Sequence, residues 1–194
     1  MQQLLMEMAS IYINRPLDQV DETIEQSLGD LGLFLGADRA YLFDYDFDRD
    51  SCRNTHEWCA DGIAPQIDDL QEVPLSILPE WVETHRRGEA MIVPEVADLP
   101  PESGVRQVLE PQDIRSLIAV PMMDGDRCLG FAGFDSVRNL RRYEEQEQRL
   151  LTVFAQMLVN VRKRRDMEEA LRASREQAES ANRAKSEFVA NLSH

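Results

Sequence analysis

Six side chains in this 194-residue chain could carry covalent or coordination chemistry: Cys52, Cys59, Cys128, His56, His85 and His194. Thiols at a suitable separation can cycle through a disulfide, imidazoles with further ligands can hold a metal ion, and a neutral imidazole is a nucleophile. Spacing thins these options. His56 and His85 have no cysteine or histidine at ligand spacing, so both are expected at the surface and no metal site is predicted. If 52–59 is one regular strand, the offset of seven puts Cys52 and Cys59 on opposite faces, about 23 Å apart. They could not then pair, and only Cys128, in a later strand, could approach either of them. Small apolar strand residues are the simpler reading of all three. Three cysteines make no even disulfide framework, which suits a reducing cytoplasm.

The elements that must position these residues are marked by periodicity. Leu4, Leu5, Met8, Ile11 and Tyr12 fall at helical spacing until Pro16, which is suited to open a second helix. Leu17, Val20, Ile24, Leu28, Leu31 and Leu35 trace one face of that helix, and Gly36 can take the left-handed cap conformation that closes it. Strands are predicted over 39–45 and 52–59, joined by an acidic turn. Two more, 116–123 and 127–135, flank Asp124 and Gly125, a pair that favours a tight hairpin. Between them the pattern loosens: seven of the nine prolines lie in 65–111, with short helices predicted over 78–87 and 104–109 and a strand over 90–93. Loops of that length inside a compact domain commonly cover a pocket. Strand alternation puts Tyr41, Phe43 and Tyr45 on one face, with Ala40 and Leu42 on the other. Phe43, Trp58 and Trp81 are the candidate pocket residues. The order of elements predicts an α+β domain with an antiparallel sheet and helices packed on both of its faces.

The net charge is −15, yet 161–194 holds eight basic and six acidic side chains, which leaves −17 on the rest. So acidic a body repels phosphate backbones and anionic headgroups, excluding nucleic acid and membrane surfaces as partners. The basic run of Arg162, Lys163, Arg164 and Arg165 has Asp166, Glu168 and Glu169 beside it and is read as a solvated, ion-paired helix face. No apolar run approaches the roughly 18 residues of a membrane helix, and no signal-peptide pattern opens the chain. A cytoplasmic location is expected.

Four stretches resemble the landmarks of a GAF domain, in the family's order and spacing: Gly-Ala-Asp-Arg-Ala-Tyr-Leu-Phe at 36–43, Glu57 with Trp58, Ile-Arg-Ser-Leu-Ile-Ala-Val-Pro at 114–121, and Gly-Phe-Ala-Gly-Phe-Asp-Ser at 130–136. The resemblance covers about 15–160 and implies a small-molecule sensor whose pocket lies between the sheet and the helical insert. Members that attach a bilin use a cysteine followed by histidine, and none of the three cysteines here has one. The cyclic-nucleotide signature of the family is also missing: 139–145 lacks its lysine and reads as a helix start. Some family members reduce free methionine sulfoxide with pocket cysteines, which makes a stand-alone redox enzyme the alternative; a ligand-free dimerisation scaffold is a third.

The last ten residues, Lys-Ser-Glu-Phe-Val-Ala-Asn-Leu-Ser-His at 185–194, resemble the phosphoacceptor box of sensor histidine kinases, with Val189 and Leu192 as conservative departures. That resemblance implies His194 as phosphoacceptor, ATP bound by a separate catalytic domain, and an aspartate on a response regulator as recipient. No ATP-binding segment or other cofactor site is present in these 194 residues, so the chain alone is not expected to catalyse phosphotransfer. It reads as a fragment of a protein-histidine kinase.

From about 143 onward the chain reads as one helix, about 78 Å long. Leu150, Phe154, Met157 and Val161 space as core residues, and Met167, Leu171, Ser174, Ala178, Ala181, Lys185, Phe188 and Leu192 repeat in steps of four and three. Two successive steps of three around 164 break the phase. A seam of this length predicts a parallel coiled-coil homodimer. The organisation is thus an amino-terminal helix over 1–14, the sensor domain over 15–160, a signalling helix over 161–184 and the start of the phosphoacceptor helix over 185–194.

Overall fold

A computed structural model describes the backbone of residues 2–192, so Ser193 and the expected phosphoacceptor His194 lie outside the described residues. The chain divides into two units, Met1–Val159 and Asn160–His194.

In the first unit, α1 (Gln2–Asn14) and α2 (Val20–Leu35) precede the hairpin β1 (Arg39–Asp46) and β2 (Ser51–Cys59). An insert follows, comprising β3 (Val73–Pro74), α3 (Pro79–Arg86), β4 (Met91–Val93) and α4 (Gly104–Leu109). The chain then returns through β5 (Ser116–Asp124) and β6 (Arg127–Ser136) to α5 (Glu145–Leu192). The strands form one antiparallel sheet in the order β3-β2-β1-β6-β5-β4.

Apolar residues at helical spacing bury the inner face of α2, with Val20, Ile24, Leu28, Leu31 and Leu35 all removed from water. Pro16 does not start that helix. It precedes a 3₁₀ turn, Leu17–Gln19, and α2 begins at Val20. The helix ends at Gly36, whose φ of 63° lets the N–H of Ala37 reach back to the carbonyl of Gly32 at 2.9 Å, a Schellman closure. The Tyr12 hydroxyl hydrogen-bonds Ser27 Oγ at 3.0 Å and pins α1 to α2.

The β5–β6 turn sits one residue later than expected. Asp124 pairs with Arg127, so Gly125 and Asp126 form the two-residue loop. Only the glycine takes a positive φ, 60°, the requirement at the first central position of a type II′ turn.

The sheet carries helices on both faces. On one, α2 packs against β1 and β2, where Trp58 lies over Gly29 and Gly32. On the other, α3 packs against β4, β5 and β6. The early part of α5 is buried within the first unit through Leu150, Leu151, Phe154 and Leu158. Asp38 ties the two ends of the fold's central strands together. Its Oδ2 accepts the backbone N–H groups of Val137 and Arg138 at 2.7 and 2.9 Å, just beyond the end of β6.

Residues 160–192 of the second unit are helical, and Met167, Leu171, Phe188, Val189 and Leu192 are exposed there. Among the described residues no helix is long and apolar enough to cross a membrane.

Candidate functional site

β1 points Tyr41, Phe43 and Tyr45 toward the insert, and Phe131 from the neighbouring β6 stacks on Phe43 with ring centroids 4.8 Å apart. α3 lowers Trp81 edge-on to Phe131 at 5.5 Å. Between this aromatic floor and a roof of Val105, Leu109 and Ile114 lies a cavity. Its volume is about 40 Å³, roughly three water positions, and it opens to solvent at one side.

Phe43 and Trp81 line this cavity, whereas Trp58 does not. The correction has a definite cause in the register of β2. Leu42 pairs with His56 but Phe43 pairs with Asn54, so Thr55 is an extra residue and the strand changes parity there. Cys52, opposite Tyr45, faces the cavity, and unbroken alternation would have carried Trp58 to the same side. The bulge instead turns Glu57 toward the cavity and Trp58 toward α2. The same bulge brings Cys59, opposite Arg39, onto the face that holds Cys52, where a regular strand would have separated them.

The polar groups gather at one end. Glu57 Oε2 accepts the backbone N–H groups of Gln66 and Ile67 at 2.8 and 3.1 Å, anchoring the insert to β2. Gln112, beyond α4, accepts Arg39 Nη1 through Oε1 at 3.2 Å and donates from Nε2 to the Val108 carbonyl at 2.7 Å. Arg39 also donates Nη2 to the Gln112 carbonyl at 2.6 Å, and its Nε stands 3.8 Å from the carboxylate of Asp135. Neither Asp135 oxygen accepts a hydrogen bond from a described residue. Burial pushes this carboxyl up to about 7 against the lowering pull of Arg39.

His85 is fully buried, not at the surface as its isolation in sequence suggested. Its Nε2 faces the Ala119 carbonyl at 3.2 Å and its Nδ1 lies 2.6 Å from the Tyr45 hydroxyl. A carbonyl only accepts, so Nε2 carries the proton and Tyr45 donates to Nδ1. Burial pulls the imidazole down to about 4 and pushes the Tyr45 phenol far above its ordinary range. This neutral pair fastens α3 to the sheet behind the cavity.

All three cysteines are free thiols. Cys52 and Cys128 belong to strands on either side of β1, two strand spacings or about 10 Å apart, beyond the roughly 7 Å that a disulfide can bridge. Burial pushes Cys52 up to about 12 and Cys59 and Cys128 up to about 11, so none presents a thiolate at neutral pH. Among the described residues no group of three or more His, Cys, Asp or Glu side chains is placed to hold a metal ion.

Sequence reasoning put Tyr41 on the face of Phe43 without choosing it as a pocket candidate, and it did not mark Glu57 or Gln112 for the pocket. Alternation with Phe43 was the available signal for Tyr41. Glu57 depended on the bulge and Gln112 on the path of the insert, and neither leaves a local pattern.

Comparison with known proteins agrees with this geometry. The chain is 31% identical over 199 residues to the methanogenesis regulatory histidine kinase FilI of Methanothrix harundinacea (strain 6Ac), covering 95% of this chain but only 22% of that kinase. The blue-light absorbing form of the Thermosynechococcus elongatus PixJ GAF domain has the same fold with a TM-score of 0.66 at 18% identity, over 89% of this chain and 95% of that one. A domain ascribed to a two-component sensor histidine kinase of Sinorhizobium meliloti 1021 superimposes with a TM-score of 0.62 at 19% identity, over 79% of this chain and 97% of that one. The profile of the GAF domain matches residues 19–161. With sheet, insert and profile in agreement over most of its length, the chain belongs to the GAF domain family.

Proposed function

We propose that this chain is the sensory segment of a two-component histidine kinase. A small ligand enters the cavity between the sheet and the insert, and its binding is transmitted through a dimer of the carboxy-terminal helix to His194 as phosphoacceptor. The observation that carries the reading is the apolar cavity floored by Phe43, Trp81 and Phe131 in a chain related to a regulatory histidine kinase. The apolar residues of 160–192 support the second half of the proposal. Met167, Leu171, Phe188 and Leu192 repeat at coiled-coil spacing and are 61–70% exposed in the single chain, a seam suited to a second copy. Small and polar residues at Ser174, Ala178, Ala181 and Lys185 weaken that seam, and the phase break near 164 allows a rotation or register shift. ATP and the catalytic domain that binds it, the recipient response regulator and a cytoplasmic setting belong to the same proposal.

Native mass spectrometry of protein purified from cells tests it first, with a dimer carrying a defined small added mass as the expected result and a bare monomer as the contrary one. Spin labels at Ser174→Cys in a Cys59→Ser background test transmission. Inter-helix distances that stay the same with and without ligand would sink the signalling mechanism.

A further inference from the structure

The cavity restricts the chemistry of what can fill it, and this inference rests on the sensory reading above. Four of its lining residues carry strong hydrogen-bonding groups: Tyr41, Trp81, Glu57 and Gln112. Two of these are already committed. Gln112 uses its amide oxygen for Arg39 and its amide nitrogen for Val108. Glu57 turns one oxygen to the backbone of Gln66 and Ile67 and the other toward Asn54 Nδ2 at 3.4 Å. The Trp81 indole N–H has no acceptor among the described residues but is shut away from solvent, whereas the Tyr41 hydroxyl is neither bonded to a described residue nor sealed off. Its ring lies across Gly133, where a Cβ would come within 2.0 Å of Cε2, so its position is set by the sheet and not by its own polar contacts.

Charge narrows the choice. The lining holds one carboxylate and no cation, and Arg39 beside it is engaged by Gln112 and Asp135. An anion entering here would meet Glu57, with Asp135 close behind, and no free cation. A cation would have to leave water for a site whose single carboxylate is already spent on two backbone N–H groups and Asn54, which burial makes unfavourable. The ring faces offer little compensation, because Phe43 and Phe131 stack on one another and Trp81 meets Phe131 edge-on. Burial and the neighbouring Asp135 hold the Tyr41 phenol well above its ordinary range, so it remains a neutral donor at any physiological pH.

We propose that the ligand of this cavity is a small neutral molecule, largely apolar and about the size of one six-membered ring, that sets a single oxygen acceptor against the Tyr41 hydroxyl. The cavity volume of about 40 Å³ sets the size, and the one uncommitted donor that solvent can reach sets the acceptor. Anything larger must push the insert outward.

Three probes of one shape distinguish the possibilities: cyclohexanone, cyclohexanecarboxylate and cyclohexylammonium, titrated into the full chain. Binding is read by thermal shift and by Trp81 fluorescence in a Trp58→Phe background, which leaves a single tryptophan and places it at the cavity. Cyclohexanone is expected to raise Tm and perturb Trp81 while the two ions do neither. Tyr41→Phe keeps the ring over Gly133 and is expected to weaken cyclohexanone about tenfold, the worth of one hydrogen bond. Tighter binding of either ion, or undiminished cyclohexanone binding by Tyr41→Phe, overturns this inference and leaves the cavity as a ligand site. Silence from all three probes overturns it and removes the support for a ligand-binding cavity as well.

Discussion

The Tyr45 hydroxyl donates to Nδ1 of His85 across 2.6 Å, joining the central strand of the sheet to the last turn of α3. The imidazole is neutral in the fold because burial pulls it down to about 4 from an ordinary value of 6.5. Between those two pH values the unfolded chain takes up a proton that the folded protein refuses. The stability His85 contributes is therefore complete above 6.5 and is lost as pH falls toward 4, by about 3 kcal/mol in all. Subtracting the pH dependence of a His85→Gln variant from that of the parent, by urea unfolding, should show this loss. A flat difference would remove the neutral pair as a stability element.

Asp135 has the opposite sign. Its folded value of about 7 lies above the ordinary 3.8, so the folded protein keeps a proton that the unfolded chain releases, and stability falls as pH rises from about 4 to 7. Over the shared window the two groups offset one another in the parent protein. Asp135→Asn is expected to show a steeper gain of stability with rising pH than the parent, and His85→Gln a net loss. If both variants shift the curve in the same direction, the assignment of opposite linkages is wrong.

Gly32 sits beneath Trp58, and a Cβ there would come within 2.3 Å of the indole ring. Gly32→Ala should destabilise the protein by about 1–3 kcal/mol through overpacking, against a gain of about 1 kcal/mol from helix propensity. Gly29, whose Cβ would meet the same indole at 3.1 Å, should tolerate alanine better. In a Trp58→Leu background the clash is gone, and Gly32→Ala should become neutral or stabilising. A cost that persists without the indole would mean that Trp58 does not pack on α2.

Burial holds the Cys59 thiol at about 11, two pH units above its ordinary 9, although the side chain is only partly covered. At pH 8 its alkylation by iodoacetamide should run about a hundredfold slower than that of a free thiol, and Cys52 and Cys128 should stay unlabelled until the protein unfolds. Rapid native labelling at any of the three would restore a thiol chemistry to this domain.

Much of the architecture was written locally. The face of α2, its end at Gly36, the two hairpins, the irregular insert and the final helix follow from spacings of two, three and four and from residues with restricted backbone choices, all of which are properties of neighbours in sequence. The common face of Tyr41, Phe43 and Tyr45 is of the same kind. Which face the insert would cover was not, because that depends on where 60 to 115 cross the sheet.

Trp58 and His85 mark where local reading ends. One extra residue at Thr55 reverses every side chain beyond it, sending Trp58 to α2 and Glu57 to the cavity, and a bulge has no reliable signature in a single strand. His85 is buried because Tyr45 and Ala119, 40 and 34 residues away in sequence, supply the donor and acceptor that make burial tolerable. The sequence by itself determined the main elements, their order and the family. The tertiary structure alone decided which polar groups were consumed in holding the insert down and which were left without a partner beside the cavity, because a hydrogen bond between distant segments depends on their meeting in space.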